Sequence, residues 1–245
     1  MKIKKSIILL LVLAISFVAC NQQKTQSSIS KSAEYTPDWE SLGKHNESPE
    51  WFKNAKLGIY FHWGIYSVPA FDSEWYPRNM HFKDHKVYKH HIEKYGKPSD
   101  FGYHDFVPMF KAEYFDPEKW AALFKKAGAK FAGPVAEHHD GFAMWDSEIT
   151  PWNVMDKGPK RDITGELQKS ITNRGMKFIT AFHHAKNLQR STELNKQNRK
   201  SHFPYFEGMP PSSDDPELQF MYGNMDPETW HKEIWLGKLK EVIDK

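Results

Sequence analysis

Three short apolar runs set the rhythm of this chain, at 57–62, 130–136 and 177–182. Each is long enough for a strand and too short for a helix, and each ends in polar residues that include histidine. Between and after the runs lie stretches with helical spacing. Asp116, Pro117 and Glu118 form a start signal, a capping carboxylate followed by proline and an acid in the first turn. Trp120, Leu123, Phe124 and Ala127 then recur at i, i+3, i+4 and i+7, which predicts one buried face ending at Gly128. A second helix is predicted over 164–174, stopped by Gly175. A third starts at Asp226-Pro227-Glu228 and carries Trp235, Leu239 and Val242 on one face, with its Lys and Glu residues read as a solvated face.

The order is strand–helix, three times over. Alternation of this kind predicts an α/β fold with a parallel sheet covered by helices. The long segments, 65–113, 138–161 and 185–225, all follow strands, so they gather at the C-terminal edge. That asymmetry is the plan of a (β/α)8 TIM-like barrel, with chemistry on the loops beyond the strand ends. Three strand–helix units make only the N-terminal part of such a barrel, for which about eight are needed.

The first residues follow a different pattern. Lys2, Lys4 and Lys5 precede an apolar stretch at 7–19, which ends at Val18-Ala19-Cys20. This pattern predicts a bacterial lipoprotein signal over 1–19, with acylation at Cys20, the only cysteine in the chain. Residues 20–34 read as a polar tether and 35–245 as the folded domain. Asn21 is not the aspartate associated with inner-membrane retention, so the expected location is the cell envelope, anchored by lipid at the outer membrane. The formal charge of +3 changes in meaning as well. Without the signal, Lys+Arg falls from 34 to 31 and equals Asp+Glu. No basic stripe remains to bind nucleic acid.

Candidate chemistry gathers at the strand ends. His62 follows the first run, His138 and His139 the second, and His183 and His184 the third, while Ser73-Glu74-Trp75-Tyr76 lies just beyond the first. Neutral imidazoles both donate and accept hydrogen bonds. Several of them beside an indole and a carboxylate suit a sugar, whose hydroxyls need polar partners and whose apolar face needs a flat wall. Taken singly, each histidine fits a packing role equally well. His138 and His139 can share one site only if the strand has already turned, which Asp140-Gly141 permits. No His-x-His, His-Glu-x-x-His or paired-cysteine pattern occurs, so neither a metal nor a cofactor is expected. Aromatic residues make up 15% of the chain, and Trp63, Trp145 and Trp152 are read as structural.

The ordered blocks 57–69, 73–76, 110–113 and 137–142, with Pro159-Lys160-Arg161-Asp162 after them, resemble glycoside hydrolase family 29, the α-L-fucosidases. The resemblance runs over roughly 51–245. It implies a (β/α)8-like barrel and retaining hydrolysis of terminal α-L-fucose from glycans or glycoconjugates, with no cofactor. It implies substrate binding by His62, Glu74, Trp75, His138 and His139, and more loosely by His183. It gives Asp140 a turn-shaping role. It also places the nucleophile and the acid/base beyond Lys245, so this chain is expected to hold fucose without cutting it. Two alternatives stand beside it: a non-catalytic fucose-binding lipoprotein and a metal-dependent barrel hydrolase.

Overall fold

The computed structural model describes residues 36, 38–44, 48–184 and 226–244. The expected signal, Cys20, the tether and the loop 185–225 lie outside these residues. The chain divides into two units, 1–49 and 50–245. In the first, α1 (Trp39–Leu42) starts at Asp38, whose carboxylate accepts from the Ser41 N–H at 2.8 Å. Among the described residues no helix is long and apolar enough to cross a membrane.

The second unit opens with α2 (Glu50–Ala55) and β1 (Gly58–Phe61). The excursion after β1 folds into short helices: α3 (Tyr76–Asn79), α4 (Lys86–Tyr95) and a 3-10 segment at Tyr103–Met109. Then follow α5 (Pro117–Lys126), β2 (Phe131–Glu137), α6 (Ile163–Asn173), β3 (Lys177–Phe178) and β4 (Ala181–Phe182). A last helical run comprises α7 (Pro227–Thr229), a π segment (Trp230–Trp235) and α8 (Leu236–Ile243). All strand pairings are parallel, with β2 central: Gly58 pairs with Phe131, Ala132 with Phe178 and Val135 with Ala181. A parallel sheet with helices packed against it is the expected partial barrel.

Strand β2 is buried along nearly its whole length, as a strand covered on both faces must be. The third strand was expected to run unbroken over 177–182, yet it forms two short pieces. Its break lies beside Gly133 and Pro134. Pro134 has no N–H to give to a neighbouring strand. Gly133 lets the Ile179 carbonyl approach so closely that an added Cβ would lie 1.5 Å from its oxygen. Thr180 Oγ1 instead donates to Pro134 O at 3.0 Å. The register then shifts between Val135 and Glu137, a bulge that re-aims the end of β2.

One predicted helix face is rotated, and one face read as solvated is partly buried. On α5, Trp120 and Phe124 pack on Phe61, with centroids 5.7 and 5.6 Å away, and Ala121 is fully buried. That stripe turns Leu123 outward, where it is 63% exposed, and leaves Ala127 exposed too. The final helix does not present its Lys and Glu to solvent throughout: Lys238 is buried, for reasons that lie at the site. The main core joins α5, α6 and β2 to the aromatic residues of the excursion, with Tyr76, Phe106, Leu167 and Ile171 fully enclosed.

Candidate active site

Three strand ends bring four imidazoles together. The ring centroids of His62 and His138 are 5.4 Å apart, those of His62 and His183 5.6 Å, and those of His138 and His183 5.1 Å. His139 joins them, 4.9 Å from His138 and 5.5 Å from His183. The backbone makes this convergence obligatory. His183 N–H donates to Glu137 O at 2.8 Å, which seats the end of β4 beside the end of β2. Gly141 takes φ 79°, a left-handed turn that ends β2 and allows two consecutive histidines to face one space. Asp140 shapes this turn as expected: its carboxylate accepts from the Phe142 N–H at 3.2 Å and from the Tyr103 hydroxyl at 2.7 Å.

Strand alternation sorts the adjacent residues. His138 enters the cluster while Glu137 turns away, and His183 enters it while His184 turns away. Tyr60, two residues before His62, lies on the same side as that histidine, and its hydroxyl is 3.1 Å from His183 Nε2.

Trp75 forms a wall. Its ring is stacked on His139 at 5.1 Å and 24°, and stands edge-on to His138 at 5.3 Å. The wall is anchored one residue on. Tyr76 is fully buried; its hydroxyl is 3.0 Å from His91 Nδ1, and His91 Nε2 is 2.9 Å from Phe101 O. Burial drives the His91 pKa down and the Tyr76 pKa up, so both stay neutral. Ser73 Oγ accepts from the Trp75 N–H at 3.2 Å, which sets the turn carrying Glu74. Glu74 is half-buried and close enough to act on the site's phenols. Burial first, and then the Glu74 charge, raises the pKa of Tyr60; burial, Asp140 and Glu74 raise that of Tyr66. Both hydroxyls therefore remain protonated and able to donate.

Behind the cluster lies a charged group that the sequence pattern did not mark. Glu137 is fully buried; its Oε1 accepts from Lys238 Nζ at 2.5 Å and is 3.4 Å from His184 Nδ1. Burial pushes the Glu137 carboxyl up, but the Lys238 ammonium and His184 outweigh it and hold the pKa at about 2. Trp230 Nε1 donates to His184 O at 3.2 Å. The only available signal was an acid closing an otherwise apolar strand. The final helix supports the second loop as well, through Glu241. Its carboxylate accepts from Trp145 Nε1 at 3.0 Å, Ser147 Oγ at 2.8 Å and the Glu148 N–H at 2.7 Å.

Of the six residues expected to bind substrate, the structure brings His62, Trp75, His138, His139 and His183 into ring contact, and Glu74 within electrostatic reach of Tyr60 and Tyr66. Trp63, by contrast, packs on Phe110, Phe115 and Trp120. Trp145 and Trp152 are buried.

Comparison with known proteins identifies the family. The family model described as Alpha-L-fucosidase matches residues 21–245. Tissue alpha-L-fucosidase of Rattus norvegicus is 43% identical over 145 residues, which cover 59% of this chain and 31% of the relative. Plasma alpha-L-fucosidase of Homo sapiens is 43% identical over 142 residues, 57% of this chain and 30% of the relative. The crystal structure of Thermotoga maritima alpha-fucosidase with a mechanism-based inhibitor superposes with TM-score 0.61 at 33% identity, covering 86% of this chain and 47% of that one. The same enzyme in complex with fucose gives TM-score 0.60 at 33% identity, covering 86% and 46%. The matches thus span about a third of the curated relatives' length and just under half of the solved chain. The family model covers most of the chain, the solved enzymes share its fold over the matched span, and the chain belongs to the α-L-fucosidase family.

Proposed function

We propose that this chain forms the sugar-holding part of an α-L-fucosidase acting on terminal α-linked L-fucose of glycans or glycoconjugates. The supporting observation is the convergence of four imidazoles from three strand ends beside the Trp75 indole. The imidazoles and Glu74 take the ring hydroxyls, while Trp75 covers the apolar side of the sugar. Tyr60 and the buried Tyr66, both kept protonated, add donors beside the imidazoles.

Retaining hydrolysis needs two carboxyl groups about 5–5.5 Å apart, one as nucleophile and one as acid/base. Glu74 is a binder in this reading, and Asp140 is 2% exposed and held by Tyr103 and Phe142. The described residues therefore bind and orient the sugar, and bond cleavage is not assigned to them. The test is L-fucose binding to the purified chain, run beside turnover of an aryl α-L-fucoside. Saturable binding without turnover is expected; failure to bind would remove the proposal, and turnover would show that the described residues also cleave.

The same reading keeps Cys20 as a lipid-anchoring site that places the protein in the envelope. Incorporation of labelled palmitate that disappears in Cys20→Ser tests it; equal labelling of the variant would refute it.

A further inference from the structure

We propose that His62, His138 and His183 form a binding site for a single divalent transition-metal ion of the zinc type. Each histidine offers one ligand nitrogen, and these nitrogens lie within 4.8 Å of one another. With Zn–N bonds of about 2.0–2.1 Å and roughly 1.1 Å more to each ring centre, a tetrahedral three-histidine site sets its centroids about 5 Å apart. The three observed separations are 5.1, 5.4 and 5.6 Å. Ring movements of less than about 1 Å then bring the nitrogens to bonding distance.

The donor set suits the ion. Three neutral imidazoles select zinc, copper, nickel or cobalt over magnesium and calcium, which prefer oxygen. The scaffold is rigid where it must be: His138 is 3% exposed at the end of the central strand, and His183 is fixed by its N–H bond to Glu137 O. Tyr60 Oη, 3.1 Å from His183 Nε2, sets the orientation of that ring. His62 and His183 keep partial exposure, which leaves a way in from solvent. Glu74, near enough to act on Tyr60 and Tyr66, adds a negative field that favours a cation. A metal-site pattern in the sequence is lacking because the ligands come from three separate strands.

The ion would occupy the imidazoles offered to the sugar, so metal and L-fucose exclude one another; this second part rests on the sugar reading, whereas metal binding does not. The experiment is titration of the full chain with Co2+ at pH 7.5, read by its visible absorption, and back-titration with Zn2+. One equivalent giving intense tetrahedral bands, displaced by one equivalent of Zn2+, is expected. His62→Gln and His183→Gln should each lose the bands, while His231→Gln on the exposed face of the last helix should keep them. Absence of the bands, or bands that survive in both site variants, overturns the proposal. If a variant fails to fold, zinc K-edge absorption on the unsubstituted chain decides: about three imidazoles in the first shell support the site, and one or none refutes it. L-fucose that binds yet leaves the metal in place would refute the exclusion alone.

Discussion

Lys238 Nζ lies 2.5 Å from Oε1 of Glu137, and both side chains are almost completely withdrawn from solvent. The pair fastens the last helix to the end of β2, one residue before the paired histidines. Removing one partner strands the other charge in a low-dielectric interior, which costs about 3–5 kcal/mol. Glu137→Gln and Lys238→Met should each lower the unfolding free energy measured in urea by that amount, while Glu137→Leu combined with Lys238→Met should recover most of the loss. A double variant as unstable as the singles would contradict this account of the pair.

The pH dependence follows from the same carboxylate. Its folded pKa, about 2, lies below the ordinary value of 4.5. The unfolded state therefore binds the proton first as pH falls, and the stabilisation present above about pH 4.5 fades toward pH 2. A shift of this size corresponds to about 3 kcal/mol. His91 acts in the same direction at higher pH. Burial keeps it neutral in the fold, so stability drops once the unfolded imidazole protonates below about pH 6.5. Urea unfolding from pH 7 to 3 should show two stages of loss, and Glu137→Gln should flatten only the lower one.

Much of this was legible in the chain, for physical reasons. Capping at Asp116, the apolar run of β2 and the polar residues at the strand ends are local signals, and local signals specify elements. His62, His138, His139 and His183 were foreseeable as one group because parallel topology carries all strand ends to one edge. The break in the third strand was not foreseeable, because it depends on what Gly133 and Pro134 do to a strand 45 residues away. Lys238 and Glu241 read as solvated for a similar reason. Nothing near them in sequence shows that one meets Glu137 and the other meets Trp145.

Glu241 yields its own prediction. It holds the loop at Trp145, Ser147, Glu148 and Ile149 by four hydrogen bonds, and hydrogen bonds to a charged group contribute about 1.5–3 kcal/mol each at most. Glu241→Ala should raise amide exchange across 146–150 by at least tenfold, while β2 stays protected. Unchanged exchange in the loop would show that the helix does not secure it.

Gly133 tests the strand break. Gly133→Ala forces a methyl carbon into the Ile179 carbonyl, and a closely packed interior has no room for it. The variant should lose well over about 3 kcal/mol and become sensitive to protease at 177–182. A variant that melts like the parent would show that the third strand can move away without cost.

The central claim is that the strand-end imidazoles and the Trp75 wall together hold L-fucose. Calorimetric titration of L-fucose into the purified chain, repeated with Trp75→Ala and His138→Gln, tests it most directly. The account predicts one saturable site in the parent, and a loss of about tenfold or more in affinity, roughly 1.4 kcal/mol, in each folded variant. No binding by a folded parent, or binding by both folded variants as tight as the parent's, would contradict it.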